Sequence, residues 1–266
     1  MSTPIALTIA GSDSSGGAGI QADLKSFAAL GVYGASVISA LTAQNTRGVT
    51  AIHQVPAGFV TEQIDAVFGD LDVAAVKIGM VAQRDVIAAI AAGLQRWTPK
   101  HVVLDPVMVA TSGDRLLAPD AIAALRTTLI PCADIITPNL PEAAALLDAP
   151  MADSEADIEA QGKRLLALGC RAVLIKGGHG SGAQSIDYLV TADRAIALPA
   201  PRVMTRNTHG TGCTLSAAIA AGLAKGQDLE TAVRAAKAYV SAAIAAADRF
   251  SVGHGHGPVH HFHGFY

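Results

Sequence analysis

The chain has 266 residues, of which 51% are hydrophobic, enough for a large core in one domain or in a domain with a small appendage. A formal net charge of −3 gives nucleic acid or an anionic membrane no electrostatic handle, and no apolar run has the length of a membrane span. The start, "MSTPIALTIAGSD", lacks the basic and small-residue pattern of a signal peptide. Cys132, Cys170 and Cys213 are too few and too widely spaced for a disulfide framework, which fits a reducing cytoplasm.

Short β-branched runs alternate with alanine-rich helical ones. "IALTIA" (Ile5–Ala10) predicts a buried strand, Gly17–Leu30 a helix and Ala35–Ala43 a strand. Val60–Leu71 predicts a helix, Ala74–Gly79 a strand, Asp85–Trp97 a helix and His101–Pro106 a strand. "PDAIAALRTTLI" predicts a helix, "ADIITP" a strand and "PEAAALLD" a helix. The acidic "APMADSEADIE" reads as a solvated loop and helix start. A helix over "EADIEAQGKRLLALG" then leads to a strand over Ala172–Gly178. "SIDYLVT" and "RAIALPA" predict a hairpin at a sheet edge, and helices over Thr211–Lys225 and Leu229–Arg249 close the chain. No internal repeat or low-complexity linker interrupts the series. Near-continuous apolar strands alternating with helices predict one α/β domain over residues 1–266, a mostly parallel sheet covered on both faces.

Ligands of such sheets sit beyond the carboxyl ends of the strands. Here those ends are Gly11–Gly19, Gln44-Asn45, Lys77–Met80, Asp105-Pro106, Thr137–Glu142 and Lys176–Gly178, all polar or glycine-rich. In "NTHGTGCTLS" (Asn207–Ser216) a glycine turn enters a helix, so several N–H groups and a positive dipole end converge on an anion hole; the plainer alternative is a turn with Thr208 or Thr211 capping an ordinary helix. Cys213 falls in the first turn, where the dipole lowers a thiol pKa and equips it as nucleophile or base; a small buried hydrophobe is the alternative. Asp105 and Glu142 are hard oxygen ligands suited to Mg²⁺, and Lys176 is placed to neutralise phosphate, although each also fits a turn, a helix start or a surface position. Together they point to Mg-dependent phosphoryl transfer, which needs positioning and charge neutralisation above all.

The other glycine loop, "AGSDSSGGAGIQADLKSF" (Ala10–Phe27), lacks the Walker lysine spacing. It also fails the dinucleotide fingerprint, because Gly17-Ala18-Gly19 is followed by Ala22 where a glycine is required. Asp23 lies on its following helix. Gln44 carries an amide that donates and accepts, matching an aminopyrimidine edge, with a strand-end turn contact as the alternative. The histidines of "VGHGHGPVHHFHGFY" match no tetrahedral zinc spacing.

These segments carry a resemblance. "ALTIAGSDSSGGAGIQADLKSF", "TAQNTRGV", "KIGM", "VVLDPVM", "TPNLPEA", "KGGH", "NTHGTGC" and "GHGPVHHFH" resemble, in order and over nearly the whole chain, the hydroxymethylpyrimidine/phosphomethylpyrimidine kinases of thiamine biosynthesis, in the ribokinase-like superfamily. The resemblance accounts for the tail histidines without a metal. It implies a three-layer α/β/α fold, a homodimer and a cytoplasmic enzyme. The implied reactions are phosphorylation of 4-amino-5-hydroxymethyl-2-methylpyrimidine by ATP and Mg²⁺, and then of the monophosphate to the diphosphate. Carried over by motif, Gln44 and the Ala18 backbone hold the pyrimidine, and Gly11, Asp23, Met80 and Val107 line its pocket. Lys176 meets the ATP phosphates, with Thr205 and Lys237 near the nucleotide. Asp105 and Glu142 serve the magnesium, Gly210, Thr211 and Gly212 form the anion hole, and Cys213 is the base. Cysteine where the related sugar and pyridoxal kinases carry aspartate sets this family apart within the superfamily. Pyridoxal kinase and a catalytically silent pyrimidine binder are the rival readings; a nicotinamide-dependent dehydrogenase conflicts with the missing fingerprint glycine.

Overall fold

The computed structural model describes residues 3–108, 119–179 and 182–266. Nine strands form one sheet in the order β3-β2-β1-β4-β5-β6-β7-β8-β9. β1 (Ile5–Asp13), β2 (Tyr33–Asn45), β4 (Ala75–Ile78), β5 (Val102–Leu104), β6 (Ile135–Ile136) and β7 (Ala172–Ile175) run parallel. β3 (Gly48–Gln54) folds back on β2 at one edge, and β8 (Gln184–Thr191) and β9 (Ala195–Pro201) make an antiparallel hairpin at the other.

Strand alternation sorts the core into two layers. Leu7, Ile9, Val76, Ile78, Val102, Leu104, Val173 and Ile175 face α2 (Ala57–Phe68), α3 (Arg84–Trp97), α4 (Pro119–Ala124), α5 (Leu140–Leu147) and α6 (Glu155–Leu166). Ala6, Ala75, Val103, Ala172 and Leu174 face α1 (Gly19–Ala29), α7 (Thr211–Ala224) and α8 (Leu229–Ala245). The second layer is built largely from alanine, and at Gly222 an added Cβ would lie 2.9 Å from the Cβ of Ala232, so α7 and α8 approach closely. This is the expected three-layer arrangement.

Element ends shift by up to a few residues from the sequence expectation, as α2 does by three, and larger departures have a physical cause. β3 was not anticipated, because this edge strand has no buried residue to give it an apolar period. The helix expected over residues 119–130 continues past α4 as a π turn, Leu125–Leu129, and a 3-10 turn, Ile130–Cys132, where Pro131 has no N–H to extend the ladder. The last helix ends at Ala245, four residues early, and passes into a 3-10 turn at Ala247–Arg249.

β1 leads outward to β2, whereas β4 returns to the other side of β1. The strand order therefore reverses between β1 and β4, where open α/β sheets form a crevice at the carboxyl edge.

Candidate active site

A cleft of about 920 Å³ opens at that carboxyl edge. Gly11, Ala18, Gln44, Met80 and Val107 line one end, and Asp105, Glu142, Lys176, Gly210, Thr211, Gly212 and Cys213 surround the middle. Lys237 and Val203 lie along the other end.

The middle of the cleft is built first by α7. Gly210 is its N-cap at φ +80°, and no side chain caps the helix. The threonines do not cap it: Thr211 Oγ1 donates to the Thr208 carbonyl (2.7 Å) and Thr211 N–H donates to the same oxygen (3.2 Å). The helical ladder begins with Thr214 N–H to the Gly210 carbonyl, so the Gly212 and Cys213 N–H groups precede it. A Cβ on Gly212 would stand 3.3 Å from Lys176 Nζ and 3.4 Å from Asp105 Oδ2, which makes the glycine's bare backbone the wall facing both groups.

Lys176 Nζ donates to Asp105 Oδ1 at 2.7 Å and lies 3.8 Å from Glu142 Oε2. Burial works to lower the lysine's pKa, but the Asp105 and Glu142 carboxylates raise it overall, so the ammonium stays charged. Glu142 closes a capping box on α5: its Oε2 accepts from Asn139 N–H and its own N–H donates to Asn139 Oδ1, both at 2.8 Å. Asp105 and Glu142 both bring hard carboxylate oxygens to the wall of the cleft. A pair of carboxylates, with the remaining positions left to water and phosphate oxygens, fits Mg²⁺. Among the described residues no cluster of three or more His, Cys, Asp or Glu side chains could hold a metal, and none is needed for that mode.

Cys213 lines the cleft, and burial pushes its thiol up to about 11 despite the nearby Lys77 ammonium. The dipole-lowered thiol expected from the sequence is therefore corrected: burial outweighs the helix end, and the resting side chain is a neutral thiol at pH 7. Asp23, expected at the pyrimidine pocket, is also placed elsewhere. It is fully buried between α1 and the sheet, where Thr8 Oγ1 donates to it (2.6 Å) and Lys77 Nζ bonds both its oxygens (2.8 and 2.9 Å). Thr8 and Lys77 are register partners on β1 and β4, both facing the α1/α7 layer, so the carboxylate is consumed there. Thr205 stays outside the cleft too, on a separate open hollow, with its Oγ1 donating to Asp248 Oδ1 at 2.6 Å. Lys237 reaches the cleft but is tied to Asp187 Oδ2 at 2.8 Å.

Gln44 is held from behind. Ser14 Oγ donates to its carbonyl (2.7 Å), its N–H donates back to Ser14 Oγ (2.8 Å), and Thr42 Oγ1 lies 3.0 Å from its side-chain oxygen. One amide edge remains toward the cleft.

Sequence reasoning missed Asp13, His209 and Asp187. The Asp13 carboxylate accepts from Ser15 N–H, Gly17 N–H, Ala18 N–H and the Ser15 hydroxyl, and its Oδ2 lies 2.7 Å from His209 Nε2. Burial works to raise its pKa, but the bonds from His209 and Ser15 outweigh it and hold it near 2. An ionised carboxylate only accepts, so His209 Nε2 is the donor. The available signal was a lone acid at a strand end ahead of three glycines, which alone reads as an ordinary turn residue. Asp187 accepts from Gly177 N–H (2.8 Å) and fixes the turn after β7.

A sequence model of the phosphomethylpyrimidine kinase family matches residues 13–260. A Rhizobium meliloti protein named hydroxymethylpyrimidine/phosphomethylpyrimidine kinase is 63% identical over 98% of this chain and 98% of its own. The Geobacter sulfurreducens thiamine biosynthesis bifunctional protein ThiED is 51% identical over 96% of this chain and 51% of its own length. Among solved structures, an ADP complex of Bacillus subtilis pyridoxal kinase superposes with a TM-score of 0.90 at 37% identity, covering 98% of both chains.

Proposed function

The chain belongs to the phosphomethylpyrimidine kinase family, and from that premise we propose how its cleft phosphorylates the pyrimidine of thiamine biosynthesis, first at the hydroxymethyl group and then at the resulting monophosphate, with ATP and Mg²⁺. The whole chain acts as one kinase domain, a cytoplasmic homodimer. No helix among the described residues is long and apolar enough to cross a membrane.

The observation that carries the reading is the meeting of Lys176, Asp105 and Glu142 with the bare Gly210–Gly212 turn in one cleft that also holds Gln44. Gln44 and the Ala18 backbone orient the ring so that its hydroxymethyl group faces Cys213. Gly11 allows Met80 to close over the ring, since a Cβ at residue 11 would lie 2.5 Å from Met80 Cε. Asp105 and Glu142 would hold magnesium, which would supply neutralising charge for the transferring phosphate. Lys176 adds a fixed positive charge, and the Gly212 and Cys213 N–H groups bind the phosphoryl oxygens. In the first step the alcohol oxygen bonds to the γ-phosphorus, the bond to the β-phosphate oxygen breaks, and the alcohol proton passes to Cys213 Sγ as thiolate. The nearby Lys77 charge offsets part of the burial that keeps the thiol neutral, so the acceptor is the minor thiolate fraction. In the second step the nucleophile is a phosphate monoester, whose second pKa of about 6 leaves it mostly ionised, so no base is required.

The similarity to a pyridoxal kinase structure favours pyridoxal as the rival substrate. Incubating the protein with Mg-ATP and either compound, followed by mass spectrometry, tests the reading. Mono- and then diphosphate from the pyrimidine support it; phosphorylation of pyridoxal alone, or of neither, overturns it.

A further inference from the structure

Near its end the chain joins the β2–β3 hairpin to the loop that enters α7. At Gly255 and His256 the backbone meets the tip of the β2–β3 hairpin: Gly255 N–H donates to Thr46 Oγ1 (3.0 Å) and His256 N–H to the Thr46 carbonyl (2.8 Å). Thr46 is two residues from Gln44. Immediately afterwards, Gly257 N–H donates to Asn207 Oδ1 (3.1 Å), the His209 N–H donates to the Gly257 carbonyl (3.0 Å), and the Val259 N–H donates to the His209 carbonyl (3.2 Å). These bonds lie beside Gly210, the N-cap of α7.

The anchors beyond this segment are firm. Val259, His260 and His261 are buried, His260 N–H donates to the Ala243 carbonyl (3.0 Å), and Tyr239 Oη donates to the His261 carbonyl (2.6 Å). On the near side, Asp248 Oδ1 accepts from Thr205 Oγ1 and Asn207 Nδ2. The segment between, bent at residues 253–256, is therefore pinned at both sides, and its glycines set how closely it lies. A Cβ on Gly253 would stand 2.4 Å from Thr46 Oγ1, one on Gly255 2.0 Å from the Thr46 carbonyl oxygen, and one on Gly257 2.3 Å from Asn207 Oδ1. Real contacts are never this short, so an added methyl at residue 255 must displace the hairpin tip, and one at 257 must push aside the Asn207 side chain that ties the strap to the loop entering α7.

We propose that Gly253–Val259 is a positioning strap that sets the distance between the pyrimidine-holding end of the cleft, through Thr46 and Gln44, and the phosphoryl-holding turn, through Asn207, His209 and Gly210. The proposal rests on the kinase reading for what each end binds. It gives the tail glycines and Thr46 a role that no direct substrate contact would reveal. The two ends of the strap are separately addressable. Gly255→Ala moves the end that holds the ring, and Gly257→Ala moves the end that holds the phosphoryl group. Gly264 is the control in the same tail, because a Cβ there meets nothing within 4 Å.

The test compares steady-state kinetics and amide hydrogen exchange of Gly255→Ala, Gly257→Ala and Gly264→Ala in the full-length protein. Thr46→Val is a milder fourth variant that keeps the glycines and removes only one acceptor. Gly255→Ala and Thr46→Val are expected to raise KM for the pyrimidine about tenfold and threefold, with KM for ATP and kcat within twofold of wild type. Gly257→Ala is expected to lower kcat about tenfold. Exchange should quicken at 43–49 in the first case and at 207–212 in the second. Exchange needs no substrate, so it reports on the strap even if turnover of the pyrimidine fails. Equal effects of Gly255→Ala and Gly257→Ala on the same parameter and the same amides, or no effect beyond that of Gly264→Ala, would overturn the proposal.

Discussion

His209 Nε2 lies 2.7 Å from Asp13 Oδ2, a contact that joins the two glycine loops of the cleft across 196 residues of sequence. Asp13 gathers the N–H groups of the first loop, and His209 directly precedes the N-cap of α7. Asp13→Asn keeps one acceptor but loses the charge that draws these donors together. Both phosphorylations should slow, and the urea midpoint should fall by the equivalent of about 2 kcal/mol at pH 7. The folded carboxyl sits near 2, below its ordinary 3.8, so its stabilisation is present above about pH 4 and fades as the pH falls toward 2. The difference between wild type and Asp13→Asn should shrink accordingly at pH 3; a constant difference would place the effect elsewhere.

Much of this cleft was legible in the sequence because strand ends are ordered by topology. Once Ile5–Ala10, Ala74–Gly79, His101–Pro106 and Ala172–Gly178 read as parallel strands, their polar followers had to share one edge, and Asp105 and Lys176 do so. Asp23 was not legible: a helix residue four positions after Gly19 has no sequence mark that separates facing the cleft from facing the sheet. Lys77 decided it by lying opposite Thr8 on the neighbouring strand. The rise in the Cys213 thiol was hidden too, because a helix end is visible in sequence and the burial around it is not. Thr205 was misplaced by its neighbour: Val203 enters the cleft, and the chain turns away over the next two residues.

Gly210 tests the interlock from the backbone. It holds φ +80°, and a Cβ there would lie 1.9 Å from the Gly17 carbonyl oxygen. Gly210→Ala should therefore cost at least 100-fold in both phosphorylations and lower Tm. Gly31→Ala shares a positive φ, +72°, with nothing within 4 Å, and should cost only about 1 kcal/mol of stability with activity intact. Parallel thermal melts and activity assays separate a backbone preference from a closed interface; similar activity losses in both variants would contradict the interlock.

Gln44→Ala should raise KM for the pyrimidine about tenfold, the effect of losing one or two hydrogen bonds of about 1 kcal/mol each. The nucleotide end of the cleft is formed by other elements, so KM for ATP should stay within twofold. Titration calorimetry with each substrate checks the split, and an unchanged pyrimidine affinity removes Gln44 from ring recognition.

The pH dependence of the first step follows from the raised thiol. Burial holds Cys213 near 11, above its ordinary 9.0, so the thiolate fraction grows about tenfold per pH unit through the range 7 to 9. Alcohol phosphorylation should rise with it over that range. Phosphorylation of the monophosphate, already ionised above about pH 6, should be nearly flat there. Initial rates for the two substrates across this range make the comparison; an alcohol step equally flat would contradict proton transfer to the thiolate.

The most direct measurement is the ratio of the two phosphorylation rates in Cys213→Ala, each started from its own purified substrate with Mg-ATP. Cys213 is assigned to receive a proton that only the alcohol must lose, so the first rate should fall at least 100-fold while the second falls less than tenfold. Equal losses in the two steps would contradict the assignment and leave Cys213 as packing at the start of α7.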